Sequence, residues 1–123
     1  MSPQISVIAP IYNEVDSLPH LLPAIATSLE RTGLTYEVIC VDDGSKDGST
    51  QWLQEQASFQ GELVAVILRK NYGQTAAMAA GFDQARGEII VTLDADLQND
   101  PADIPALLTK LDEGFDVVTG WRD

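Results

Sequence analysis

The chain has 123 residues, of which 45% are hydrophobic and 21% charged, as expected for one soluble globular domain with a single buried core. Its 19 acidic residues against 7 basic ones give a formal net charge of -12, and such a surface repels nucleic-acid phosphates, so we expect no nucleic-acid partner. The single cysteine, Cys40, excludes an internal disulfide and a cysteine-based zinc cluster.

The N-terminal segment, MSPQISVIAP, lacks the basic start and apolar core of a signal peptide. No apolar run reaches the roughly 18 residues that a membrane-spanning helix needs. Together with the lone cysteine, these features predict a soluble, cytoplasmic chain.

Short apolar runs rich in β-branched residues predict five strands. They are ISVIAP, which ends at Pro10, followed by Tyr36–Val41, Leu63–Leu68, Glu88–Leu93 and Phe115–Thr119. Polar loops bound each run, and the runs themselves are nearly continuous in hydrophobicity. This pattern is typical of strands buried on both faces of a parallel sheet.

A helix is predicted in each interval between strands. The first carries apolar residues at helical spacing from Leu18 to Leu29, with Asp16 or Ser17 as its cap, Pro23 inside and Gly33 as its stop. The second and third helices are Thr50–Ala57 and Thr75–Ala85. The fourth has Asp100 as its cap and Pro101 at its first helical position, and it ends at Gly114. Strict alternation predicts an α/β fold with a Rossmann-like, doubly wound, mainly parallel sheet. The loops after its strands then share one ligand-binding crevice.

The first of these loops reads PIYNE and lacks the glycine-rich turn of a dinucleotide-binding fold, which disfavours a nicotinamide enzyme. Tyr12 offers a flat ring on which a base could stack, and Asn13 and Glu14 offer hydrogen-bonding groups. A loop that merely leads into a helix explains the same residues equally well.

The second loop, VDDGSKDGST, follows the second predicted strand with two adjacent acids, Asp42 and Asp43. Related folds place an acid there to accept a hydrogen bond from a ribose hydroxyl or a base N–H. An Asp-Gly turn that caps the next helix accounts for Asp47 and its neighbours but does not require the acidic pair. The third loop, RKNYGQ, brings Arg69 and Lys70 to the same rim, where they face a phosphate or solvate a strand end.

The fourth loop, DADLQND, places oxygen-bearing side chains at alternate positions, Asp94, Asp96 and Gln98. Oxygen ligands suit Mg²⁺ or Mn²⁺, whereas the simpler alternative is a polar turn before the Asp100 cap. Like charges about 4 Å apart repel by roughly 1 kcal/mol in water and about 4 kcal/mol at an effective dielectric near 20. A cation that bridges the acids to a diphosphate removes this repulsion, which favours the metal site.

PIYNE, VDDGSKDGST, RKNYG with the following AAMAAG, and DADLQNDP occur in order across nearly the whole chain. With these motifs the chain resembles family 2 glycosyltransferases, specifically polyprenyl-phosphate hexosyltransferases similar to dolichyl-phosphate mannose synthase. The resemblance implies the nucleotide-sugar-binding half of a GT-A fold over residues 1–123, in a chain truncated before the acceptor-binding part.

The resemblance also assigns the site residues. Pro10, Tyr12 and Glu14 would surround the nucleoside, and Asp42 or Asp43 would contact the base or ribose. Asp94 would approach the ribose and the metal, while Asp96 and Gln98 would ligate Mg²⁺ or Mn²⁺. Lys70 stands where relatives more often carry arginine, so a phosphate contact there would lack the bidentate fork.

The activity implied is inverting transfer of a hexose from a nucleotide diphosphate sugar, UDP favoured over GDP, to a polyprenyl phosphate of the cell envelope. Asp96, with Asp94, would serve catalysis by assisting departure of the nucleotide through the metal. The longer parent would act at the cytoplasmic face of a membrane, and this chain would mainly bind the donor without turning it over. The sequence leaves the oligomeric state open.

Two alternatives come from other classes of protein. A receiver-type signalling domain is also doubly wound, acidic and magnesium-binding, but its acids follow the first and third strands and a lysine follows the fifth. A nucleotidyltransferase would carry a glycine-rich basic loop after the first strand, which PIYNE is not.

Overall fold

One parallel sheet organises the fold in the computed structural model, which describes residues 3–59, 61–93 and 118–119. Its strands are β1 (Ile5–Ile11), β2 (Tyr36–Asp42), β3 (Leu63–Ile67), β4 (Ile89–Thr92) and β5 (Val118–Thr119). They lie in the order β3-β2-β1-β4-β5, and every pairing is parallel. The predicted α/β fold with a doubly wound, mainly parallel sheet is therefore confirmed.

Among the described residues, three helices connect the first four strands: α1 (Leu18–Glu30), α2 (Ser49–Phe59) and α3 (Gln74–Gln84). Each lies within about two residues of its predicted bounds, the usual uncertainty of helix ends. α1 begins after Ser17 and keeps Pro23 inside. The fourth predicted helix, residues 100–114, lies outside the described residues.

The core has one layer on each face of the sheet. The larger layer joins the buried leucines and Ile25 of α1 to Leu53 of α2 and to inward side chains of the strands, among them Ile5, Val7 and Cys40. The smaller layer joins Ala77 of α3 to Ile8, Ile39 and Val41. Burial also raises the pKa of the Cys40 thiol to about 12, so Cys40 is a packing residue.

α3 lies unusually close to the sheet at Gly81. A Cβ at this position would lie 2.5 Å from Cγ2 of Ile8, so only glycine fits without a shift of the helix or the strand. Met78 and Phe82 lie four positions apart, a spacing that predicts a shared core-facing side of α3. Phe82 is instead 41% exposed, so this prediction is wrong for Phe82. Met78 does pack against the smaller layer.

A buried polar network closes the amino-terminal edge of the sheet. Glu37 is 2% exposed, and its Oε2 accepts hydrogen bonds from the Ser6 hydroxyl at 2.6 Å and from the Arg86 N–H at 2.8 Å. Its Oε1 accepts from Nε and Nη2 of Arg86, both at 3.2 Å. Gly87 donates its N–H to the Ser6 hydroxyl at 2.8 Å. The network ties the turn between α3 and β4 to the starts of β1 and β2.

The opposite, carboxyl-terminal edge contains the topological switch point. β1 lies between β2 and β4. The chain therefore adds β2 and β3 on one side of β1 and later crosses to add β4 on the other side. β1 and β2 pair over their full lengths, from Ile5 opposite Tyr36 to Ile11 opposite Asp42. β4 pairs with β1 only as far as Thr92 opposite Ile8. Crevices at such points are where open α/β sheets bind ligands.

Candidate functional site

The loops after β1 and β2 are joined at Asn13. This residue adopts a left-handed backbone conformation with φ of 52°, which asparagine tolerates better than most residues. Its N–H donates to the Ser45 hydroxyl at 2.9 Å, and its side-chain oxygen accepts the N–H of Lys46 at 2.8 Å. The reciprocal pair fixes the loop that carries Tyr12, whose side chain is 45% exposed at the rim.

A second set of hydrogen bonds joins the same two loops at the residues that follow Asn13 and Lys46. The Glu14 N–H donates to the Ser49 hydroxyl at 3.1 Å, and the Val15 N–H donates to Oδ2 of Asp47 at 3.1 Å. Oδ1 of Asp47 accepts from the N–H of Ser49 at 3.0 Å and from its hydroxyl at 2.6 Å. Asp47 therefore caps the start of α2, the structural role that its Asp-Gly sequence predicts.

The pKa of Asp47 is lowered. Desolvation by itself would raise it, but hydrogen bonds from the Ser49 hydroxyl and from the N–H groups of Val15 and Ser49 stabilise the carboxylate and outweigh that effect. The ionised form is thus the one that holds the two loops together.

Asp42 ends β2 as a fully buried carboxylate. Its Oδ1 accepts the N–H of Ser45 at 3.1 Å, and its Oδ2 accepts the hydroxyl of Thr50. Both partners belong to the loop and helix that follow it. Both carboxylate oxygens of Asp42 therefore accept hydrogen bonds from within the β2–α2 unit.

Asp43, the next residue, is bonded across to the third loop instead. It is 4% exposed, and its Oδ1 accepts the N–H of Tyr72 at 2.8 Å. Its Oδ2 accepts the N–H of Gly73 at 3.0 Å and the side-chain amide of Asn71 at 3.2 Å. These donors precede α3, where a negative charge is also favoured by the helix dipole.

Gly44 sets how closely the second and third loops approach. Its φ is 74°, and a Cβ here would lie 2.4 Å from the carbonyl carbon of Lys70. Glycine is therefore required both by its conformation and by the contact. The resulting close packing fixes the backbone of Lys70 beside the end of β2.

Lys70 itself is exposed. Its Nζ lies 5.5 Å from the centroid of the Tyr72 ring, within the range of a cation–π contact. The ring is 53% exposed, so both groups are accessible at the rim. The third loop thus offers the Lys70 cation together with the aromatic surface of Tyr72.

The predicted nucleotide-binding residues that the structure describes come together at the carboxyl edge of the sheet: Pro10, Tyr12, Glu14, Asp42, Asp43 and Lys70. Sequence reasoning gave no role to Ser45 or Asn71 and placed Ser49 only in the turn that caps α2, yet hydrogen bonds of all three residues hold the three loops together. The signal was present, because short polar residues beside glycines favour side-chain to backbone bonds.

The predicted metal ligands Asp94, Asp96 and Gln98 lie outside the described residues. Leu93 precedes them, and its N–H donates to the carbonyl of Ile8 at 2.9 Å, so their segment begins beside β1. Within residues 3–59, 61–93 and 118–119, no group of three or more His, Cys, Asp or Glu side chains could hold a metal.

Residues 6–123 match the family described as Glycosyl transferase family 2. The chain belongs to this family. The match supports neither a receiver-type domain nor a nucleotidyltransferase.

Curated relatives carry the name undecaprenyl-phosphate 4-deoxy-4-formamido-L-arabinose transferase. The protein from Pseudomonas fluorescens (strain Pf0-1) is 50% identical over 115 residues, which are 93% of this chain and 34% of the relative. The protein from Klebsiella pneumoniae (strain 342) is 51% identical over 116 residues, which are 94% of this chain and 36% of the relative. This family 2 chain thus spans about a third of the length of the curated relatives it matches.

Solved structures of GT-A glycosyltransferases share the fold. A mannosyltransferase from Pyrobaculum calidifontis, in complex with GDP-Man and Mn²⁺, superposes with a TM-score of 0.71 and 30% identity over 89% of this chain and 32% of its own. S. aureus TarS 1-349 in complex with UDP gives a TM-score of 0.69 and 26% identity over 92% of this chain and 32% of its own. In the part of this chain that is described, no helix is long and apolar enough to cross a membrane.

Proposed function

We propose that residues 1–123 are the nucleotide-sugar-binding part of a glycosyltransferase that transfers a sugar from a nucleotide diphosphate to a polyprenyl phosphate. The observation that carries the proposal is the hydrogen-bonded set of three loops at the switch point, with Asn13 and Asp43 as its two junctions. Because these junctions are made by the protein's own hydrogen bonds, they hold the loops in place, which lowers the entropic cost of binding.

The nucleoside would lie against the first two loops. Tyr12 presents an exposed ring for stacking on the base, and Pro10 and Glu14 flank it along the chain. Of the two acids, Asp43 is the better candidate for the base or ribose, because Asp42 is fully buried and bonded within its own unit. Asp43 is oriented by its three donors, and a carboxylate has about four acceptor sites, so it can accept one more hydrogen bond.

The diphosphate would lie between Lys70 and the segment that follows β4. Lys70 supplies a point charge at the rim. Asp94, Asp96 and Gln98 form an oxygen-only donor set that fits Mg²⁺ or Mn²⁺, with Asp94 also near the ribose. When bound, such an ion would offset the negative charge of the acids and of the departing nucleotide. The Mn²⁺ complex of the related mannosyltransferase supports this choice of ion.

The acceptor would be a lipid-linked phosphate, as the names of the undecaprenyl-phosphate relatives suggest. Transfer would then take place at the cytoplasmic face of a membrane. A phosphate monoester with a second pKa of about 6 is mostly ionised at neutral pH and can attack without a strong base. Inverting transfer then depends on in-line positioning of acceptor and donor and on stabilisation of the leaving diphosphate.

A donor and acceptor assay tests the proposal. The chain is incubated with radiolabelled UDP-hexose or GDP-mannose and undecaprenyl phosphate in detergent with Mg²⁺ or Mn²⁺, and bound donor and lipid-linked sugar are measured separately. We expect the UDP donor to bind more tightly than the GDP donor, with little lipid-linked product. A panel with a UDP-linked arabinose derivative distinguishes a hexose donor from the pentose named for the relatives. Binding of no nucleotide sugar under any condition would contradict the proposal.

A further inference from the structure

The outer edge of β3 carries backbone groups that the sheet does not use. The Val38 N–H donates to the carbonyl of Glu62, and the Leu68 N–H donates to the carbonyl of Asp42. In a parallel pair this spacing directs the backbone N–H and C=O groups of the even-numbered residues of β3 toward β2. The N–H and C=O groups of Leu63, Ala65 and Ile67 therefore point away from the sheet, and no strand within the described ranges pairs with them.

β3 also lacks the features that usually protect an edge strand. Its sequence, LVAVI, contains no charged residue, proline or glycine, whereas natural edges are commonly blocked by lysine, proline or a bulge. Val64, Ala65 and Val66 are partly exposed, and Ile67 is 37% exposed. An edge with these properties favours pairing with another strand.

We propose that a second copy of this chain pairs with β3 in antiparallel orientation, with the two-fold axis at Ala65. Leu63 then lies opposite Ile67 of the other copy, and Ala65 lies opposite its own counterpart. Because the outward-facing residues occupy the hydrogen-bonded positions, the pairing supplies about six backbone hydrogen bonds. The two sheets become one continuous sheet.

Side chains on the α3 face of the sheet match in this register. Val64 lies opposite Val66 of the second copy, and both already pack against the smaller core layer. The two-fold axis repeats this contact, so the edge is complementary to itself in hydrogen bonding and in the apolar side chains that meet across it.

The net charge of -12 opposes self-association. At about 0.15 M salt the Debye length is near 8 Å, so most of that long-range repulsion is screened while contacts along the strand remain. We therefore expect a dimer that forms at micromolar concentrations or above and weakens as salt is removed. This inference does not depend on the donor chemistry.

Sedimentation velocity over a concentration series tests the pairing. The Ile67→Lys variant places a charge on the outer edge of β3, which disfavours pairing with a second strand. We expect the dimer dissociation constant to rise at least about tenfold. Phe82→Lys is the matched control, because Phe82 is similarly exposed but lies on α3. Circular dichroism checks that both variants fold. A monomer at every concentration up to about 1 mM, or equal weakening by both variants, would overturn the proposal.

Discussion

Asn71 donates its side-chain amide to Asp43 across 28 positions of sequence, at 3.2 Å to the carboxylate and 3.3 Å to the carbonyl of the same residue. The contact joins the end of β2 to the segment that leads into α3. It makes the position of the third loop, and of Lys70 within it, depend on Asp43.

The first prediction concerns this junction. Asn71→Ala removes one donor from Asp43 but leaves the bonds from Tyr72 and Gly73, so we expect a stability loss of about 1 kcal/mol. Affinity for UDP should fall about tenfold, because the loop that carries Lys70 is less fixed. Calorimetry measures the affinity and urea unfolding the stability. The control is Gln54→Ala, which removes an exposed amide on α2; equal losses in both variants would contradict a special role for Asn71.

The second prediction concerns Gly44. Gly44→Ala forces a side chain into a left-handed conformation and against the backbone of Lys70, so we expect destabilisation by about 2 kcal/mol or more. Gly61→Ala is the matched control, since a Cβ there meets nothing within 4 Å. Thermal unfolding compares the two variants. A Gly44 variant as stable as the Gly61 variant would show that the two loops are not closely packed.

The buried strands and helices could be predicted from the sequence, because the hydrophobic pattern of each segment can be recognised without knowing which other segments it packs against. Glu37 could not, because a single acid near the start of a strand resembles a solvent-exposed residue until α3 brings Arg86 back to it. Phe82 was misjudged for a related reason: the close approach at Gly81 turns the aromatic ring outward. The loops of the site and their order could be predicted from the motifs. The different roles of Asp42 and Asp43 could not, because Asp42 bonds to its own loop whereas Asp43 bonds to residues far along the sequence.

The third prediction concerns the Glu37 network. Glu37→Gln removes the charge that Arg86 meets while keeping the size of the side chain, and we expect a loss of about 2 kcal/mol in the free energy of unfolding. UDP affinity of the folded protein should be unchanged, because the network lies at the edge of the sheet opposite the site. Glu88→Gln, at an exposed acid two residues beyond Arg86, controls for the loss of one charge. A large fall in UDP affinity for Glu37→Gln alone would contradict this separation of edges.

The fourth prediction concerns pH. The folded-state pKa of Asp47 lies below its usual value, so its stabilising effect is present above the unfolded pKa of about 4 and is lost as pH falls through the folded pKa. Asp47→Asn should therefore destabilise the protein near pH 7, and its difference from the original chain should shrink below about pH 4. Urea unfolding at several pH values measures this difference. Asp83→Asn, on the exposed side of α3, is the control; a difference for Asp47→Asn that does not vary with pH would contradict the assigned bonds.

The proposed function requires the crevice to bind a nucleotide diphosphate through a metal held by residues that follow β4. Isothermal titration of UDP with Mn²⁺ or Mg²⁺, and again with EDTA, tests this requirement in the original chain and in Asp96→Ala. We expect binding with metal, a loss of at least about tenfold in EDTA, and a similar loss in Asp96→Ala. Unchanged UDP affinity in EDTA and in Asp96→Ala would contradict the metal-bridged site.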